Sequence, residues 1–126
     1  MAKILLVDDE PAIRALVRAA LEGAGHQVIE GADGASALPI ARQEHPDLVL
    51  LDIALPRASG AQVCRWLKRE RPDAPVLLLT GLGQDGGQDV ATEAGADGLV
   101  TKPFRPNELV AQIEAALALP AASAAR

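Results

Sequence analysis

The stretch PDLVLLDIALP, Pro46 to Pro56, holds four consecutive apolar residues that stop abruptly at an aspartate. A strand with one face in water alternates polar and apolar residues, whereas one covered on both faces does not. Leu48–Leu51 is of the second kind. So are ILLV (Ile4–Val7) and VLLL (Val76–Leu79), and GLVT (Gly98–Thr101) is a further short run. QVIE (Gln27–Glu30) has polar ends and belongs at a sheet edge.

Between and after these runs lie segments of helical period: Pro11–Glu22, Gly34–Glu44, Ser59–Glu70, roughly Gly87–Ala94, and Pro106–Leu117. In the first, Ile13, Leu16, Val17, Ala20 and Leu21 form one apolar stripe. In the last, Leu109, Val110, Ile113 and Leu117 do the same, with Asn107 as the expected cap. Five strand–helix units predict an α/β fold, a doubly wound five-stranded parallel sheet with five helices on its two faces. Residues 1–119 make one domain, and 120–126 (PAASAAR) read as a frayed end or linker stub. Pro39 is awkward inside the second helix, because it removes a hydrogen bond and crowds the preceding turn. Taking Ser36 as the cap would move Pro39 into the first turn, so a late start or a kink is expected there.

The bulk composition narrows the function. Of 126 residues 49% are hydrophobic, yet the aromatics are only Trp66 and Phe104, so the core must be aliphatic. Trp66 reads as a partly buried packing residue and Phe104 as an anchor for the last loop. A net charge of −5 argues against a general affinity for nucleic acid or anionic membrane. The basic cluster Arg65, Lys68, Arg69 and Arg71 reads as a solvated helix end favoured by the macrodipole. Cys64 has no partner for a disulfide or a metal and reads as a small apolar filler. MAKILLV is too short for a signal segment and no spanning helix is evident, so the expected location is cytoplasmic.

Comparing strand ends brings out the chemistry. The first strand runs into Asp8 and Asp9, the third into Asp52, the fourth into Thr80, and the fifth into Thr101-Lys102-Pro103. All therefore collect at the carboxyl edge of the sheet, where open parallel sheets bind ligands. Three carboxylates at close quarters need counter-charge. Mg²⁺, a hard cation that takes oxygen ligands, together with the Lys102 ammonium would supply it. An aspartate so balanced can attack a phosphoryl group, and the cations then neutralise the transferring oxygens. Any one of these residues alone reads as a turn or cap residue; the constellation does not.

The pieces ILLVDDEP, ADGASAL, PDLVLLDIALPRASG, PVLLLT, EAGADG and TKPF, in this order and separation, resemble the receiver domain of two-component response regulators, from Lys3 to Leu117. The resemblance implies a flavodoxin-like, CheY-like sheet of order 2-1-3-4-5. It implies Asp52 as phosphoacceptor and Mg²⁺ held by Asp9, by Asp8 largely through water, by Asp52 and by the Ala54 carbonyl. Lys102 would pair with Asp52 and then with the phosphoryl group, across a cis Lys102–Pro103 peptide. Thr80 would be the switch hydroxyl. The partners implied are a sensor histidine kinase or a histidine phosphotransfer protein, and a downstream protein bound on the face of the fourth helix, fifth strand and fifth helix. Direct nucleic-acid or membrane binding is not implied, and dimerisation on phosphorylation is left open.

Three departures matter. Leu99 stands where such receivers commonly have an aromatic switch residue, so that coupling is in question. Ala54 and Leu82 occupy positions that tune acyl-phosphate lifetime in the family. The loop after Thr80 carries Gly81, Gly83, Gly86 and Gly87. Their spacing matches a dinucleotide-binding G-x-G-x-x-G loop, but that loop belongs to the first strand–helix unit of its fold, and here only one strand follows. The glycines read instead as slack that phosphorylation would order through Thr80. The chain is thus read as a signalling phosphoacceptor rather than an enzyme, free-standing, a phosphorelay intermediate or part of a larger protein. Its rivals are a degenerate receiver acting as a pure binding module, disfavoured by the full residue set, and an aspartyl phosphatase, disfavoured by Ala54 where a second acid would be needed.

Overall fold

The computed structural model describes residues 1–81 and 87–118. Leu82, Gly83, Gly86 and the 120–126 tail lie outside them, and with them the expectations about glycine slack and the chain end. Ten elements alternate: β1 (Lys3–Val7), α1 (Pro11–Gly23), β2 (Gln27–Gly31), α2 (Gly34–Glu44), β3 (Leu48–Asp52), α3 (Gly60–Glu70), β4 (Val76–Thr80), α4 (Gly87–Ala94), β5 (Gly98–Thr101) and α5 (Pro106–Ala118). The sheet is parallel throughout and ordered β2-β1-β3-β4-β5, with β2 at an edge as its polar ends require.

Side chains alternate across a strand, so each central strand feeds two cores. Ile4, Leu6, Leu48, Leu50, Leu77 and Leu79 pack with Val17 and Leu21 of α1 and with Leu109 and Ile113 of α5. Leu5, Val7, Val49, Leu51, Val76 and Leu78 face the other way, onto α2, α3 and α4. Each fully buried leucine contributes about 1.5–3 kcal/mol, which lets an aliphatic sheet stand almost without aromatics. Trp66 is half-buried against the second core and Phe104 against the first. Cys64 is buried, and burial pushes its thiol up to about 11.

Three local expectations fail for identifiable reasons. The second helix does not start late. Asp33 caps it by accepting from the Ser36 N–H at 2.8 Å, while the Ser36 hydroxyl donates to the Asp33 carbonyl. Gly34 is pinned at its start, with its N–H on Pro56 O and no room for a Cβ against Ala58 O. Pro39 then lies inside α2. Both Pro39 and Ala35, whose carbonyl loses its donor, are exposed, so water can replace the missing bond. Asn107 does not cap the last helix, because Pro106 already occupies its first turn, where a missing N–H costs nothing. Nor is the basic cluster simply a solvated helix end. Arg65 and Arg69 are exposed, but Lys68 holds Pro72 O, Ala74 O and Asp97, and Arg71 donates to Ala41 O and Pro46 O.

Candidate functional site at the carboxyl edge

Register places the acids. Val7 pairs with Leu51, so Asp8 and Asp52 follow at the same level on adjacent strands. This is where strand order reverses, between β1 and β3. Asp52 itself pairs with Leu79, so Thr80 stands one residue beyond it on β4. Thr80 pairs with Thr101 on β5, and Lys102 follows. Lys102 thus sits two strands across from Asp52, roughly 10 Å, and about two residues further out. Only a long side chain can return that far. The Lys102–Pro103 peptide is cis, and the Lys102 N–H donates to Thr80 O at 2.7 Å.

The site is crowded with negative charge, and its inner groups are buried. Asp8 is 0% exposed, Asp52 6% and Thr80 5%. Asp8, Asp9, Glu10 and Asp52 each bring a carboxylate oxygen within 4.8 Å of one another. Against these four stands the Lys102 ammonium, 3.1 Å from Asp8 Oδ2, 3.1 Å from Asp52 Oδ2 and 3.3 Å from Glu10 Oε1. Backbone donors fix the two buried acids: Glu10 N–H on Asp8 Oδ1 at 2.9 Å, and Ala54 N–H on Asp52 Oδ1 at 3.0 Å. Arg14 donates to the Asp8 carbonyl at 2.6 Å and so holds the strand end from outside.

Burial raises the Asp8 carboxyl above its usual range; the Glu10 N–H and Lys102 oppose the rise, and the Asp52 charge adds to it. For Lys102, burial alone would lower the ammonium, but the carboxylates of Asp8 and Asp52 beside it outweigh that and hold it well above the usual lysine range. Asp8 Oδ2 is within ion-pair distance of the ammonium but out of line for a hydrogen bond. Among the described residues it is the one buried side-chain oxygen with no hydrogen-bond partner. A buried carboxylate oxygen without a directed donor, inside an all-oxygen acidic cluster, fits a hard divalent cation.

Two contributors are missing from the set that the sequence points to. Glu10 stands within ILLVDDEP, and its position in the same acidic run is the one signal that could have found it. Gly60 is one of eleven glycines, with nothing in the sequence to single it out. A Cβ there would meet Asp52 O at 2.2 Å, and the Gly60 N–H donates to Ile53 O at 2.8 Å. The start of α3 is thereby pressed against the backbone that carries Asp52. Leu99 is half-buried against the α2–α4 side of the sheet, and its carbonyl accepts from Gln112.

Comparison with known proteins agrees with this geometry. The chain is 44% identical over 115 residues to a probable transcriptional regulator, ycf27, of Cyanophora paradoxa, covering 91% of this chain and 48% of that protein. It spans about half the length of the curated relatives it matches. Among solved structures, a putative response regulator from Chloroflexus aurantiacus superposes with a TM-score of 0.90 at 32% identity, covering 94% of this chain and 98% of that one. The BeF₃-activated receiver domain of DrrB gives 0.84 at 38% identity, covering 93% and 97%. The family described as "Response regulator receiver domain" matches residues 4–114, and the chain belongs to it.

Proposed function

We propose that Asp52 accepts a phosphoryl group from the phosphohistidine of a sensor histidine kinase or a histidine phosphotransfer protein. An Asp52 carboxylate oxygen attacks phosphorus, the P–N bond breaks, the imidazole leaves, and an acyl phosphate forms. The observation that carries this reading is the Lys102 ammonium bridging Asp8 and Asp52 beside an unsatisfied buried carboxylate oxygen. Asp9, Asp8 through water, Asp52 and the Ala54 carbonyl would hold Mg²⁺. When bound, that ion supplies charge neutralisation for the phosphoryl oxygens. The chain's own residues do the rest. The Ala54 N–H orients the nucleophile, and Lys102 keeps its proton and stabilises developing charge on the transferring group. Thr80 then donates its hydroxyl to a phosphoryl oxygen, drawing its strand end inward.

Output follows from repacking of the face formed by α4, β5 and α5, with Leu99 in place of an aromatic switch. Its smaller side chain can still move between inward and outward positions. Among the described residues no helix is long and apolar enough to cross a membrane. Incubation with Mg²⁺ and a small acyl-phosphate donor tests the assignment. One phosphoryl group per chain, on Asp52, is expected. No labelling would make the chain a binding module, and many turnovers would make it a phosphatase.

A further inference from the structure

Lys102 meets more acceptors than it can keep once phosphate arrives. An ammonium has three donors, and three carboxylates already stand within 3.3 Å of it: Asp8, Asp52 and Glu10. Asp52 and Glu10 each take a hydrogen bond and Asp8 stands in ion-pair contact, so an incoming phosphoryl oxygen competes with all three for the same ammonium. Asp8 and Asp52 are buried and each is held by a backbone N–H, so neither can turn to water. The Glu10 side chain is 60% exposed, and solvent can replace the ammonium there at little cost. Its backbone N–H, which serves Asp8 Oδ1, is untouched by what the side chain does.

We propose that Glu10 is a positioning residue, an exchangeable acceptor that holds Lys102 beside Asp52 before phosphorylation and yields its donor to the incoming phosphoryl group. The proposal rests on the phosphoacceptor reading of Asp52. It makes Glu10 a competitor of phosphate, so shortening or neutralising it should favour the phosphorylated geometry.

Two variants separate this from a general field effect. Glu10→Gln removes the charge. Glu10→Asp keeps the charge but, one methylene shorter, no longer reaches Nζ. Affinity for beryllium fluoride is measured on the full chain at saturating Mg²⁺, with the Lys102 ammonium followed by ¹⁵N NMR and Mg²⁺ affinity measured separately. Both variants should bind beryllium fluoride about two- to fivefold more tightly, the range for loss of one exposed ion pair. The ammonium resonance should shift in both before the mimic is added, and Mg²⁺ alone should bind neither more tightly than the parent. If Glu10→Gln tightens while Glu10→Asp matches the parent, only the field matters and the proposal falls. It falls equally if neither variant tightens, or if Mg²⁺ affinity rises in step. If the parent chain itself binds neither Mg²⁺ nor beryllium fluoride, the phosphoacceptor reading fails as well.

Discussion

The two edges of the sheet treat charge in opposite ways. At the amino edge the buried and half-buried polar groups have matched partners. His26 accepts from the Ala2 N–H through Nδ1 and meets Glu114 through Nε2. Lys3 pairs with Glu44, and its N–H is taken by Asp47. Asp97 receives both Lys68 and the Val76 N–H. At the carboxyl edge four carboxylates crowd together with three of them on the Lys102 ammonium, and a buried oxygen is left without a directed donor. Paired groups stabilise the fold, whereas an unbalanced cluster costs stability and persists where a ligand supplies the missing charge. The contrast therefore locates function without any appeal to a bound ion.

Exchanging one acid at each edge gives the largest expected effect. Asp52→Asn should abolish labelling by an acyl-phosphate donor while the protein stays folded. Asp97→Ala should leave the labelling stoichiometry intact. If Asp52→Asn still takes label at the parental level, the carboxyl edge is not the phosphorylation site. Glycines supply a second pair. Gly60→Ala forces a Cβ onto the Asp52 carbonyl and should lower stability by about 3 kcal/mol in urea unfolding. Gly23, in the last turn of α1, has nothing within 4 Å of where a Cβ would stand, and Gly23→Ala should gain up to about 1 kcal/mol. Equal responses would mean that neither glycine is a steric pin. The Asp97→Ala change itself strips the Val76 N–H and Lys68 of their acceptor and should cost about 1–2 kcal/mol.

How far the sequence reveals all this depends on whether a feature is local. Unbroken apolar runs mark Leu48–Leu51 and Val76–Leu79 as central strands, because only strands covered on both faces dispense with polar alternation. The strand-end positions of Asp8, Asp52 and Thr80 follow from the same runs. What was not legible depends on neighbours distant in the chain. The start of α2 is set by Gly34 against Ala58, a contact that overrides the cost of Pro39. Lys68 and Arg71 look like a solvated helix end until the carbonyls they reach are known. Glu10 looks like one more surface acid until Lys102 arrives from across the sheet. A lysine beside a proline announces nothing locally, so Lys102 gains meaning only from its place just past the fifth strand and from the family resemblance.

The smallest effect tests the imbalance most directly. Asp8 is fully buried, and its carboxyl is raised above the ordinary aspartate value, chiefly by desolvation. The folded state therefore holds this proton more tightly than the unfolded chain does. Between the ordinary and the raised value the folded protein binds more protons, so this group's contribution to stability falls as pH rises through that window. At neutral pH, with metal removed by chelation, the ionised carboxylate is a net cost that Lys102 only partly offsets. Asp8→Asn should then raise the thermal midpoint slightly, by less than about 1 kcal/mol in free energy, and flatten the acid-side pH dependence. Glu114→Gln at the amino edge should give no such gain, because there the carboxylate has a partner in His26. A lowered midpoint for metal-free Asp8→Asn would show that the ammonium more than compensates for burial, and that the carboxyl edge is as well balanced as the amino edge.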